Sequence, residues 1–156
     1  IKGKCPILEA GCGSGEISLF LKNRGCNVVC LDIEKTAVDI AKERGLRAVR
    51  GDIHRLPFPD SSFELIFNQG VMEHFSPVEM GEVLKEFSRV ASKVLLIVPS
   101  NISIFRIYNP FDVDDARFYS PGEMGEIVGR VYRKVEARYI HGSFGISLMV
   151  YGEGKK

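Results

Sequence analysis

Short apolar runs alternate with amphipathic stretches along the first two-thirds of the chain. Residues 5–10 (CPILEA), 27–33 (NVVCLDI), 47–53 (RAVRGDI), 64–69 (ELIFNQ) and 93–99 (KVLLIVP) are β-branched or leucine-rich runs of strand length. Helical patterns lie between them. The clearest covers Pro77 to Ala91, where Ser76 and Glu79 form a capping box, Pro77 takes the first helical position, and Met80, Val83, Leu84, Phe87 and Val90 recur at helical spacing. A second box, Ser120 with Glu123, opens a helix carrying Met124, Ile127, Val128 and Val131 on one face. Gly25 and Gly45 stand where the two earlier helices should end. Strands alternating with helices predict a parallel sheet covered on both faces by right-handed crossovers, a doubly wound α/β fold. The tail breaks that rhythm. RKVEARYI (133–140) and ISLMVYG (146–152) are separated only by His141 to Gly145, too few residues for a crossover, so these two strands must be antiparallel. The prediction is a Rossmann-like, seven-stranded, mostly parallel sheet ending in an antiparallel C-terminal hairpin, one domain over residues 1–156.

A chain of 156 residues that is 45% hydrophobic can bury one sizeable core. Its 21 basic and 20 acidic side chains leave a formal charge of +1, so no overall field argues for a nucleic-acid or membrane partner. No run of 18 apolar residues is present, and Ile1-Lys2-Gly3-Lys4 lacks the apolar centre of a signal peptide, which makes a soluble cytoplasmic protein the expectation. Cys5, Cys12, Cys26 and Cys30 include no C-x-x-C pair, and three of them lie in or beside strand-like runs. They are expected to be reduced thiols with no metal role. The longest irregular stretch is residues 100–119, and loops of that length inside compact domains are commonly functional.

The candidate chemistry centres on ILEAGCGSGEIS, residues 7–18. A strand, then Gly11-Cys12-Gly13-Ser14-Gly15, then a helix brings bare backbone and a helix N-terminus to one place, which is how nucleotides are held. Asp32 ends the second strand 21 residues after Gly11, where a carboxylate can accept from both hydroxyls of a ribose. A dinucleotide oxidoreductase satisfies both features. Three details count against it. Glu16 occupies the position where the dinucleotide pattern needs a small residue, and a carboxylate beside a diphosphate is unfavourable. Glu9, just before the turn, suits a cationic ligand, and the terminal hairpin is foreign to the usual dinucleotide domain.

ILEAGCGSGEIS, LDIE, GDIHRLPFPDSSFELIFNQGVMEHF and RFYSPGEM together resemble the class I S-adenosylmethionine-dependent methyltransferases, particularly the small-molecule group that includes quinone-biosynthesis enzymes. The likeness runs from Ile7 to Gly152. It implies that Glu9, Gly11, Cys12, Gly13 and Gly15 wrap the methionine half of the cofactor, that Asp32 holds the ribose hydroxyls, and that Ile33 packs on the adenine. It further implies that Asp52 accepts from the adenine amino group with Ile53 flanking the ring, and that Asn68 and Gln69 receive the methionine ammonium. Glu73 and His74 match the EH pair of this group, and His74 is the candidate general base, by position and titration range.

The acceptor is less legible. Asn68-Gln69-Gly70-Val71 replaces the Asn/Asp-Pro-Pro-aromatic motif of amino-methylating relatives, which favours a small or medium-sized metabolite over nucleic acid. The 100–119 insert, with Phe105, Arg106, Tyr108, Phe111, Arg117, Phe118 and Tyr119, falls where this family builds its acceptor pocket. Relatives carry N-terminal helices that lid the cofactor, whereas about six residues precede the first strand here. That leaves open a protein or RNA acceptor, a lid supplied by a homo-oligomer or partner subunit, and a non-catalytic S-adenosylmethionine-binding subunit or sensor.

Overall fold

A computed structural model describes residues 6–102, 116–142 and 145–156. Seven strands form one sheet: β1 (Ile7–Ala10), β2 (Val28–Asp32), β3 (Arg47–Arg50), β4 (Phe63–Gln69), β5 (Ala91–Pro99), β6 (Tyr132–Gly142) and β7 (Gly145–Lys155). Their spatial order is β3-β2-β1-β4-β5-β7-β6. The first five are parallel, and β7 runs antiparallel to both β5 and β6. The fold class predicted from the sequence is therefore observed, hairpin included.

Local chemistry explains the helices. In α3 (Pro77–Val90) and α4 (Pro121–Gly129) both capping boxes form, each with the serine hydroxyl accepting from the backbone of the glutamate and the glutamate accepting from the serine N–H. α1 (Glu16–Asn23) and α2 (Lys35–Glu43) stop before Gly25 and Gly45, whose φ of 84° and 75° lets the chain leave the helix at no Cβ cost. Val131 lies just past α4 and is buried all the same.

α3 and α4 cover one face of the sheet. Met80, Val83, Leu84, Phe87, Met124 and Val128 join Leu8, Leu31, Ile66, Val94 and Leu148 in the main core. On the other face α2 packs Ala41 against Cys30 and Leu46, and α1 sets Ile17 and Leu21 over Ile7, Val28 and Phe67. Beyond α1 that face is open among the described residues. An apolar groove of about 710 Å³ runs there, lined by Phe20, Leu65, Phe67, Leu95 and Ile97. No helix of the described chain is long and apolar enough to cross a membrane.

The sheet order places the site. Successive crossovers from β1 go to one side through β2 and β3, and the chain then returns to β4 on the other side of β1. The connections that follow β1 and β4 lead away in opposite directions, and the carboxyl ends of such strands are where open α/β sheets bind ligands.

Candidate functional site

A cleft of about 720 Å³ opens at that edge. The turn after β1 forms its floor. Gly11, Gly13 and Gly15 all have positive φ (80°, 50° and 75°), so the turn demands glycine for its backbone alone. Gly11 and Gly15 also have a steric reason. A Cβ on Gly11 would stand 2.5 Å from Cγ2 of Val71, and one on Gly15 would stand 2.6 Å from Leu46 Cδ1. Nothing lies within 4 Å of the Gly13 position, so that bare backbone faces open space in the cleft.

Carboxylates hold the turn in place. Asp32 Oδ2 accepts from the Gly13 N–H at 2.8 Å and Oδ1 from the Glu34 N–H at 3.0 Å, which ties the turn to the end of β2. Glu9 lies buried beneath it. Its Oε2 accepts from the backbone N–H of Ser18 at 3.1 Å and from the Ser18 hydroxyl, so a helix side chain and amide orient the carboxylate. Burial pushes the Glu9 pKa up to about 6 against the pull of the Ser18 bonds, with the Asp32 charge adding to the rise.

The sign of the linkage follows. With its folded pKa above the unfolded value, Glu9 binds more protons in the folded state, so its ionisation subtracts stability as pH rises from 4.5 through about 6. Unfolding by urea at pH 5 and pH 7 is expected to show a Glu9 contribution on the order of 1–2 kcal/mol that Glu9→Gln flattens. An identical pH slope in the variant would remove this role.

The second wall follows β3. Asp52 Oδ1 accepts from both the backbone N–H of His54 (2.8 Å) and its Nδ1 (2.9 Å), and these bonds hold the Asp52 carboxyl below the usual range. The His54 ring meets Phe75 edge-on, with centroids 5.2 Å apart, and both line the cleft. Ile33, 57% exposed, and Ile53 present apolar surface between the two aspartates. Gln69, Gly70 and Val71 close the β4 side.

Nine of the residues expected from the sequence line this cleft: Glu9, Gly11, Cys12, Gly13, Asp32, Ile33, Asp52, Ile53 and Gln69. Gly15, Asn68 and His74 are outside its described lining. Gly15 packs inward against Leu46, Ala41 and Cys30, so it seats α1. The Asn68 side chain is fully buried, and neither of its polar atoms has a hydrogen-bond partner among the described residues. It shares a face of β4 with Ile66, away from Phe67 and the α1 side. His74 ends a short 3-10 turn (Met72–His74) and is exposed.

His54, Val71 and Phe75 were not singled out from the sequence. The Asp52-x-His54 spacing, in which an aspartate caps the N–H two residues on, was the readable signal for the first. Of the 100–119 insert, Phe105, Arg106, Tyr108 and Phe111 lie outside the described residues. Its far end returns to the 3-10 turn: the Arg117 N–H donates to the Glu73 carbonyl at 3.0 Å and the Tyr119 hydroxyl to the Phe75 carbonyl at 3.4 Å. No group of three or more His, Cys, Asp or Glu residues among those described could hold a metal ion.

Known proteins resemble this chain in sequence and in fold. A family model described as a methyltransferase domain matches residues 8–94. A malonyl-acyl-carrier-protein O-methyltransferase from Yersinia pestis is 30% identical over 99 residues, 62% of this chain and 36% of that protein. The 2-heptyl-1-hydroxyquinolin-4(1H)-one methyltransferase of Mycobacteroides abscessus is 31% identical over 137 residues, 81% of this chain and 58% of that protein. The chain spans 33% to 58% of the length of the first curated relatives it matches. The crystal structure of an S-adenosylmethionine-dependent methyltransferase from Methanosarcina mazei has the same fold, with a TM-score of 0.80 at 19% identity over 100% of this chain and 95% of that one. With more than half of its length matched by the family model, the chain belongs to the methyltransferase-domain family.

Proposed function

We propose that this chain binds S-adenosylmethionine in the cleft above Gly11–Gly15 and transfers its methyl group to a small or medium-sized acceptor. The observation that carries the reading is the charge of the lining. Glu9, Glu16, Asp32 and Asp52 supply four carboxylates, and no lysine or arginine is among the described lining residues. Such a wall favours a ligand with positive charge and disfavours a diphosphate. Glu16 also sits in the first turn of α1, 79% exposed, where a phosphate would otherwise find the helix N-terminus.

The residues present fit the cofactor. Asp32 keeps lone pairs beyond those used by Gly13 and Glu34, which suits two ribose hydroxyls. Asp52 leaves Oδ2 for an amino group, and the exposed Ile33 offers an apolar face for an aromatic ring. Glu9 keeps its Oε1 for the methionine end, with Gln69 opposite.

When bound, S-adenosylmethionine supplies a methyl already activated on a sulfonium, so the protein's task is to align the acceptor and exclude water. His54 is tied to Asp52 at the ribose and adenine end. His74, three residues after Val71, therefore remains the candidate base for an acceptor that must lose a proton. A small-molecule acceptor is supported by the names of some curated relatives, among them a magnesium-protoporphyrin O-methyltransferase from Rhodobacter capsulatus, while a probable tRNA methyltransferase 9B from Homo sapiens carries the alternative.

Calorimetric titration with S-adenosylmethionine, S-adenosylhomocysteine and NAD tests the reading. The first two should bind and NAD should not; binding of NAD alone sinks it. Affinity for the cationic cofactor is expected to rise with pH as Glu9 ionises near pH 6, and to lose that dependence in Glu9→Gln. Labelled cofactor mixed with a metabolite extract should then yield a methylated product, and binding without transfer would make the chain a sensor. A transfer rate unchanged in His74→Ala would take the base role from that residue.

A further inference from the structure

Two thiols beneath the glycine turn have no part in the proposed chemistry. Cys12 lines the cleft and Cys30, at the middle of β2, is fully buried; both belong to one small cluster closed by Ala41 and Leu46. The backbones are fastened side by side, because the Cys12 N–H donates to the carbonyl of Leu31, the residue after Cys30, at 3.0 Å. The side chains pack in that same cluster, and the Cys12 thiol donates to the Gly13 carbonyl at 3.5 Å. Among the described cysteines none is in a disulfide.

We propose that Cys12 and Cys30 are a redox-modification site, joined by peroxide into a reversible disulfide that weakens cofactor binding. Only Cys12 opens onto the cleft, so it reacts first. Its sulfur attacks one oxygen of the peroxide, the O–O bond breaks, and a sulfenic acid forms while the Cys12 proton leaves in a molecule of water. The Cys30 sulfur then displaces the sulfenic hydroxyl, which departs as a second water with the Cys30 proton. Two thiols lose two electrons in total and the peroxide gains them. The adjacent Cys30 thiol and burial push the Cys12 thiol up, so the first step is slow and answers to sustained oxidant. The neighbouring Cys12 thiol pulls Cys30 down, which makes it the better resolving nucleophile.

The effect on the cleft rests on the reading of that cleft as the S-adenosylmethionine site. A disulfide of about 2.05 Å is much shorter than a contact between two thiols, so closing it draws Cys12 towards β2. Gly13 is next in sequence, and its N–H holds the ribose-facing carboxylate of Asp32.

The test treats the full chain with hydrogen peroxide, alkylates the remaining thiols, and maps the peptides without reduction. A linked Cys12–Cys30 pair with Cys26 alkylated is expected, together with affinity for S-adenosylmethionine lower by about tenfold or more and restored by dithiothreitol. Cys30→Ser should keep its affinity through the treatment and trap a Cys12 sulfenic acid with dimedone; Cys30→Ala, also small, serves if the serine variant is unstable. Recovery of Cys12 and Cys30 both alkylated, or a link to Cys26, overturns the site. A linked protein with unaltered affinity overturns the effect on binding. The peptide map needs no cofactor, so a linked pair in a protein that never binds S-adenosylmethionine would sink the functional reading and leave the thiol pair standing.

Discussion

Asp32→Ala is expected to weaken S-adenosylmethionine binding by about 1–3 kcal/mol, the cost of leaving buried hydroxyls without their acceptor, and titration calorimetry reads it directly. The substitution removes two things together. The ribose loses its carboxylate, and the glycine turn loses the 2.8 Å bond from the Gly13 N–H that ties it to β2. Asp32→Asn separates them in part, since its remaining carbonyl oxygen can still accept from Gly13 while its amide nitrogen replaces the oxygen that accepted from the Glu34 N–H. The asparagine variant should therefore fall between the wild type and alanine. An affinity for the cofactor that alanine leaves unchanged takes Asp32 out of the site.

Phe87→Ala is expected to cost about 3–5 kcal/mol of folding stability with cofactor absent. Phe87 is fully buried on α3, in the core that joins this helix to the sheet. Removing the ring takes away its transfer free energy and leaves a cavity that Met80, Leu84 and Val94 cannot fill without leaving their own rotamers. Thermal unfolding should show a midpoint lowered by about 10 °C. Val78→Ala is the control on the same helix. Val78 is 72% exposed, and a change at such a position stays within about 0.5 kcal/mol. Equal losses at the two positions would mean that α3 does not pack as described.

The contrast between these two sites shows which parts of the molecule were legible beforehand. Phe87 could be placed in the core from its spacing with Met80, Val83, Leu84 and Val90, because a helix brings residues three and four apart onto one face. The capping boxes at Ser76 and Ser120 were equally local, since each closes a ring of hydrogen bonds within four residues. Asp32 could be named only through a motif. Nothing near it in sequence reveals that its carboxylate reaches back 19 residues to the turn.

Tertiary contacts decided the rest of the cleft. His54 lies two residues from an aspartate that the motif marks, but its place in the cleft lining depends on Phe75, brought there by the turn after β4. Glu9 reads in sequence as a carboxylate free to meet a ligand, whereas Ser18, on the helix above, holds one of its oxygens. Asn68 and Gln69 are neighbours whose side chains take opposite faces of β4, and the period of two in a strand leaves Gln69 at the cleft and Asn68 in the interior.

The seven strands, the capped helices and the terminal hairpin were determined by the sequence itself, because periodicity, capping and turn length act over a few residues. The wall of four carboxylates and the meeting of Cys12 with Cys30 were decided only by the tertiary structure. Both depend on the order β3-β2-β1, in which hydrogen bonding between strands gathers residues from Glu9 to Asp52 at one edge of the sheet.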